Sequence, residues 1–190
     1  MREFIYFSKK ARTSGNWKDL MKAGRLDIVC HSIIMAFFVS NAMRNNIVMH
    51  LFFYGPPDPP KHLEIANPRA MSKKDISGLI KRMLYKYKKD KKIEAFPKCW
   101  IEKKSFSDII EELSKQGRTI YLLDSKGEDI RKIKIENNPV FILGDHKGIP
   151  KQELRRIKNK VKKISLGDVT YFASQSLAIL QNELDRKEIY

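Results

Sequence analysis

The order of apolar and polar positions divides the chain into alternating strands and helices. Residues 2–7, "REFIYF", alternate and predict a strand. A polar, turn-rich stretch follows. "RLDIVCHSIIMAFFVSNAM" then reads as one long helix from Arg25 to Met43. It is apolar over most of its circumference, and such a helix is buried or faces a partner chain. "IVMHLFFY" (47–54) has the β-branched and aromatic content of a central strand. It must stop at "GPPDPP", which neither a helix nor an interior strand can contain. "HLEI" (62–65) reads as a short strand beyond that turn. From Ser72 to Lys89 the residues Ile76, Leu79, Ile80, Met83, Leu84 and Tyr87 recur at helical spacing, and Ser72 with Asp75 offers a capping box. Ser107 to Gln116 predicts another helix, with Gly117 as its cap.

The second half continues the alternation. "TIYLLD" (119–124) predicts a strand, "DSKGED" a turn and "IRKIKI" an outer strand with alternating charge. "PVFILGD" (139–145) predicts a buried strand, and "PKQELRRIKNK" opens a helix with Pro in its first turn. "VKKISLGD" (161–168) is the next strand, and Tyr171 to Arg186 the last helix, with Leu177, Leu180 and Leu184 on one side. Strands alternating with helices argue for an α/β fold with a mainly parallel sheet. No repeat, linker or low-complexity segment divides residues 1–190, so a single domain is expected.

Charge sharpens this picture. Against 22 acidic residues stand 38 basic ones, a net charge of +16 over 190 residues. A field of that sign favours a polyanion, and nucleic acid is the expected partner. The basic residues are uneven: 73–92 hold nine basic and two acidic side chains, and 151–163 hold seven and one. Each stretch is either a solvated helix face or a phosphate-contacting surface, and Trp17 and Trp100, read as lying in basic loops, are either stacking residues or core. No apolar run is long enough for a membrane span. Cys30 and Cys99 lie far apart without metal-ligand spacing, and His31, His50, His62 and His146 are scattered, so no metal site or disulfide is expected and a reducing cytoplasm fits.

Two strand ends share a sequence: Leu143-Gly144-Asp145 and Leu166-Gly167-Asp168. With Leu122-Leu123-Asp124 they make three strand ends that a parallel sheet gathers at its carboxyl edge, where open α/β sheets bind ligands. Glycine there admits a close ligand or only a tight turn. Gly148 nearby favours a shared cleft. No GxxxxGK[ST] or GxGxxG motif is present, and Asp145 and Asp168 would repel phosphates. A neutral or cationic ligand with a flat ring fits better, held between Leu123, Leu143 and Leu166.

"FILGDHKGIP" followed by "ISLGDVTYFASQSLAILQNELDR" resembles the C-terminal half of the SPOUT class of S-adenosylmethionine-dependent methyltransferases. With "MREFIYFSKKARTSGNW", "AGRLDIV" and "GPPDPP", nearly the whole chain resembles the archaeal tRNA pseudouridine-54 N1-methyltransferase family. The resemblance implies helices on both faces of the sheet, a C-terminal trefoil knot, a homodimer and S-adenosylmethionine held in the knot loops: Leu122 to Asp124, Leu143 to Gly148, and Ile164 to Tyr171, reaching Ser176. The implied cofactor contacts are Leu122, Leu123, Leu143, Gly144, Gly148, Ile164, Ser165, Leu166, Gly167, Ser174 and Ser176. The chain departs from the family where "SLGP" is replaced by Ser165-Leu166-Gly167-Asp168, where Cys is replaced by Ser176, and in "NPRAMSKKD" (67–75).

The implied reaction is methyl transfer to N1 of pseudouridine in tRNA. N1 carries a proton that must leave, and Asp27 is the expected acceptor, with Arg25 holding the base or its phosphate. The same two residues also read as a charge pair in the first turn of a helix, where the dipole favours Asp27. The alternatives are an rRNA pseudouridine N1-methyltransferase of the same class, a 2′-O-ribose methyltransferase of the same fold, and a non-catalytic RNA-binding protein.

Overall fold

The computed structural model describes residues 1–66 and 75–189. Eight strands form one sheet in the order β4-β5-β3-β2-β1-β7-β6-β8. They are β1 (Arg2–Ser8), β2 (Ile47–Phe53), β3 (Lys61–Ala66), β4 (Ile93–Phe96), β5 (Cys99–Glu102), β6 (Ile120–Asp129), β7 (Val140–Gly144) and β8 (Lys162–Ser165). The five strands β2, β1, β7, β6 and β8 run parallel. β3, β5 and β4 extend the sheet in antiparallel fashion. β7 and most of β2 read as near-continuous apolar runs because both of their faces are covered. β1 and β2 are buried along their whole length.

Among the described residues, five α-helices cover the two faces. α1 (Leu26–Phe37), α2 (Ile76–Tyr85) and α5 (Ala173–Arg186) pack one face, with Phe4, Met49 and Phe141 beneath them. α3 (Phe106–Lys115) and α4 (Lys151–Ile157) pack the other, over Ile5, Phe7 and Ile142. The side-chain period of two along each strand sends alternate residues to alternate cores.

Several elements differ from the sequence reading. α1 stops at Phe37 rather than Met43: Phe38 is extended and pairs with Met43 across a turn over Ser40-Asn41. The β4–β5 hairpin was not foreseen, because "IEAFPKCWIE" is short and interrupted by Pro97. Trp100 therefore lies in β5, not in a loop. "DSKGED" continues β6 instead of turning, held by Glu128 and Asp129 against β8. "IRKIKI" is not a strand; Ile130 and Ile135 are buried while Lys132 begins a turn on the Asp129 carbonyl. β8 ends at Ser165, so Leu166-Gly167-Asp168 belongs to a turn. Ser105 caps α3 with a true box to Asp108, and Gly117 follows that helix with φ +73°. The expected box at Ser72 lies outside the described residues.

One polar clamp ties the last helix to the sheet. Arg2 is fully buried at the start of β1. It donates to Gln181 Oε1 at 2.5 Å and to the Ile189 carbonyl at 2.5 Å, and pairs with Asp185 at 2.8 Å. Removing this buried cation takes a donor from Gln181 Oε1 and the Ile189 carbonyl, while Asp185 keeps Arg44. Arg2→Ala is expected to cost about 3 kcal/mol in urea unfolding, against well under 1 kcal/mol for a substitution at exposed Lys158.

Candidate functional site

β7, β6 and β8 bring their ends together as the sequence implied, and a cleft of about 530 Å³ opens there. Its floor is Leu122 and Leu123 of β6, Leu143 and Gly144 of β7, and Ser165, Leu166 and Gly167 at the end of β8. α4 contributes Leu154, α1 contributes Ile28, and the start of α5 contributes Ala173, Gln175 and Ser176. The volume falls in the range of small-molecule pockets.

The loop after β7 is built around Asp145. Its carboxylate accepts from Ser8 Oγ at 3.0 Å, the Lys9 amide at 3.1 Å and the Lys147 amide at 2.8 Å. Asp145 thus ties the loop to the end of β1, and its charge is used internally. The Gly148 amide closes the turn on the Asp145 carbonyl at 2.8 Å, with Gly148 at φ +68°. A Cβ placed on Gly144 would sit 2.9 Å from Gly148 Cα and 3.1 Å from the Ile149 amide. Glycine at 144 is therefore required by the turn itself, and the open backbone it leaves faces the cleft. A second turn is set by Ser165, whose hydroxyl accepts from the Gly167 amide at 3.1 Å.

The rim carries charge and aromatics. Asp124 Oδ2 pairs with Lys163 at 2.7 Å and Oδ1 accepts from the Lys126 amide at 2.9 Å, which together hold its carboxyl below the usual range. Val169 and Phe172 are each 62% exposed and Tyr171 is 40% exposed, and all three line the cleft mouth. Aromatic side chains so exposed at the edge of a cleft offer a stacking surface.

Of the residues expected at the cofactor, Leu122, Leu123, Leu143, Gly144, Gly148, Ser165, Leu166, Gly167 and Ser176 line this one cleft. Ile164 is buried in the core beneath it, and Ser174, though on the first turn of α5, is not part of its wall. Asp168 is exposed and also stands outside the wall; the carboxylates at the cleft are Asp124 and Asp145. Sequence reasoning missed Ile28, Ser125, Ile149, Leu154, Phe172, Ala173 and Gln175. Phe172, an aromatic residue immediately before a helix where a small polar cap is usual, was the readable signal.

Arg25 and Asp27 form a bidentate pair, with both contacts at 3.0 Å. Arg25 precedes α1 in the left-handed region, φ 64°, and folds its guanidinium back onto Asp27. That hydrogen bond holds the Asp27 carboxyl below its usual range. The pair is not part of the cleft wall, but Asp27 adjoins Ile28, which is. Buried Tyr6 lies close enough to feel the charges of Asp145, Asp27 and Arg25. Burial pushes the Cys30 thiol up to about 12 and Cys99 up to about 11, which leaves neither as a ready nucleophile.

The two basic stretches are used differently. Around α2, Lys81 binds the Trp17 carbonyl, Lys86 binds the Ala95 carbonyl and Lys92 pairs with Glu64. Trp17 packs against the core, and Lys92 lies over the Trp100 ring at 5.5 Å. The other stretch adjoins the cleft through α4, whose Leu154 lines it; Lys151 and Arg155 of the same helix are exposed.

The chain matches, over residues 1–189, the family described as "Putative SAM-dependent RNA methyltransferase". It is 35% identical to the tRNA (pseudouridine(54)-N(1))-methyltransferase of Methanosarcina acetivorans, over 99% of this chain and 92% of that protein. It is 34% identical to the enzyme of that name from Methanocaldococcus jannaschii, over 100% of this chain and 98% of the relative. Among solved structures it is similar to Archaeoglobus fulgidus Nep1 bound to S-adenosylhomocysteine, with a TM-score of 0.66 at 15% identity and 98% of each chain covered.

Proposed function

The chain belongs to the SAM-dependent RNA methyltransferase family that matches residues 1–189, and from that premise we propose that it methylates N1 of pseudouridine at position 54 of tRNA, the activity its full-length relatives are named for. The observation that carries the reading is the glycine-floored cleft at the ends of β7, β6 and β8.

The cleft fits S-adenosylmethionine. It is large enough, its leucines offer apolar walls to a flat ring, and Gly144 leaves a stretch of backbone that a side chain would fill. Leu122, Leu123, Leu143, Gly144, Gly148, Ser165, Leu166, Gly167 and Ser176 would hold it. When bound, S-adenosylmethionine supplies an activated methyl group on a sulfonium. The apolar walls exclude water from that end of the cleft. Phe172 and Tyr171 at the mouth are placed to stack an unpaired base, and exposed Lys151 and Arg155 of α4 would meet phosphates of the same RNA. Asp27 takes the N1 proton as the base gains its methyl group, and Arg25 fixes that carboxylate in place and is the residue to hold the base or its phosphate.

The finer architecture belongs to the same reading. Ile164 of β8 pairs with Leu123 before the register shift and with Glu128 after it, and a Cβ on Gly127 would lie 2.4 Å from the Ile164 amide. A segment that leaves β8 and returns to the same residue supports the trefoil knot. Continuity of the sheet from residue 2 to 165 supports a single domain. Met35 and Val39, exposed on and just beyond α1 where α5 packs beside it, support a homodimer. Free, buried cysteines and a tRNA substrate fit the cytoplasm.

Labelled S-adenosylmethionine incubated with tRNA carrying pseudouridine or uridine at position 54, and with pseudouridylated rRNA, tests the reading. Nucleoside mass spectrometry should find N1-methylpseudouridine in the first tRNA alone. Label on ribose, in the uridine tRNA, or only in rRNA would overturn it. Absence of any cofactor binding would leave an RNA-binding protein.

A further inference from the structure

His50, His62 and Glu64 take no part in the cleft. They occupy even positions of β2 and β3 and so share one face of the sheet. The register sets His50 directly opposite Glu64, and His62 directly opposite Glu102 of β5. One ligating atom from each of His50, His62 and Glu64 lies within 4.8 Å of the other two. Two histidines that looked scattered in the sequence are thus side by side, His50 Nδ1 standing 3.0 Å from His62 Nε2.

The outward nitrogens decide what these inner ones can be. His50 Nε2 is 3.3 Å from Glu3 Oε2, and His62 Nδ1 is 3.0 Å from Glu102 Oε1. Glu3 is also bound by Arg118 at 2.5 Å. Ionised carboxylates only accept, so each ring must donate its proton outward. A neutral imidazole has one proton to give. Two lone pairs then face each other across 3.0 Å in a buried place, which is repulsive unless a positive centre lies between them.

We propose that His50 Nδ1, His62 Nε2 and the Glu64 carboxylate bind a divalent transition metal of the zinc type. A carboxylate behind each histidine fixes the tautomer that ligation needs. A tetrahedral site with zinc–nitrogen bonds of about 2.0–2.1 Å sets its nitrogens roughly 3.3 Å apart, so the two rings need only a slight rotation. Lys92 occupies one oxygen of Glu64 at 2.7 Å and leaves the other for the metal. Two imidazoles and one carboxylate select zinc, nickel or copper over magnesium and calcium. The metal would tie β2 to β3, where the sheet changes from parallel to antiparallel, and would leave methyl transfer untouched.

The test is calorimetric titration of the untagged, chelator-treated full chain with ZnCl2, read beside its thermal unfolding. One zinc per chain, a raised Tm and no response to MgCl2 are expected. Co(II) in place of zinc should give the intense visible bands of a four-coordinate site. Glu64→Gln and His62→Gln should abolish or greatly weaken binding, and Glu102→Gln should weaken it at least tenfold. His31→Ala, at an exposed residue, should change nothing. If His62→Gln fails to fold, Glu64→Gln, at a part-exposed side chain, carries the test. Absence of heat and thermal shift would overturn the proposal in favour of a proton shared between the rings. Binding that survives in the folded variants would overturn it in favour of surface ligands. Loss of methyl transfer with zinc binding intact would reject the proposed activity and leave the metal site standing.

Discussion

Asp27→Asn is expected to lower kcat by about 100-fold while leaving the Kd for S-adenosylmethionine unchanged. The variant keeps the shape and an acceptor oxygen but loses the charge that draws the N1 proton from pseudouridine. Arg25 reaches Asp27 through two 3.0 Å contacts, so removing the charge also frees the guanidinium. The effect sits at the lower end of general-base contributions because Arg25 depresses the proton affinity of Asp27. The sign of the pH dependence follows. A carboxyl lowered in the folded state is ionised through the ordinary carboxylate range and is protonated only below it. The wild-type rate should therefore not fall on account of Asp27 between about pH 7 and 5. Single-turnover methylation of pseudouridine tRNA across that range, beside calorimetry with the cofactor, checks both statements. Asn activity equal to wild type would end the catalytic role of Asp27 and leave the pair as a helix-start ion pair.

Gly144→Val should abolish measurable cofactor binding while the protein still folds. The contacts a Cβ would make at 144 are with the backbone of Gly148 and Ile149, which cannot swing aside as a side-chain end could. The loop must shift, at a cost of about 1–3 kcal/mol in stability, and the exposed backbone of the floor shifts with it. Gly117→Ala, just beyond α3 and outside the cleft wall, is the control. Open space surrounds its Cβ position, but its φ is +73°, so the penalty is backbone strain of about 1 kcal/mol with the cleft left in place. Urea unfolding should thus show two destabilised variants, and cofactor calorimetry should separate them. Equal loss of affinity in both would mean that Gly144 acts through overall stability alone.

The pattern of apolar runs made the parallel core legible, because β7 and the centres of β1 and β2 are buried on both faces, with His50 as the polar interruption inside β2. The cleft was legible for a related reason: Leu143-Gly144 ends β7 and Leu166-Gly167 follows β8, on either side of β6, and parallel strands end on one side. What escaped depends on partners distant in sequence. The β4–β5 hairpin is short and contains a proline. Glu128 and Asp129 continue β6 only because β8, more than thirty residues later, lies there to pair with them. Leu154 and Gln175 reach the cleft because α4 and the start of α5 meet at the strand ends, which local periodicity does not encode. His50 and His62 are brought together by the register of β2 on β3, and a spacing of twelve residues does not announce that.

The place of β1 has a consequence for how the protein comes into being. Its residues leave the ribosome before those of the other seven strands, yet they form the middle of the sheet, between β2 and β7. β2 reaches it early, but the opposite edge stays open until residues 140–144 are made, and Arg2 finds Gln181 and Asp185 only when α5 exists. An open central strand is a template for wrong pairing while it waits. The elements that close that edge, β7 with β6 and β8, are the same ones that form the cleft. A nascent chain therefore acquires its ligand site and loses its sticky edge in one late step, so that a translation product cut short is at once inactive and prone to aggregate.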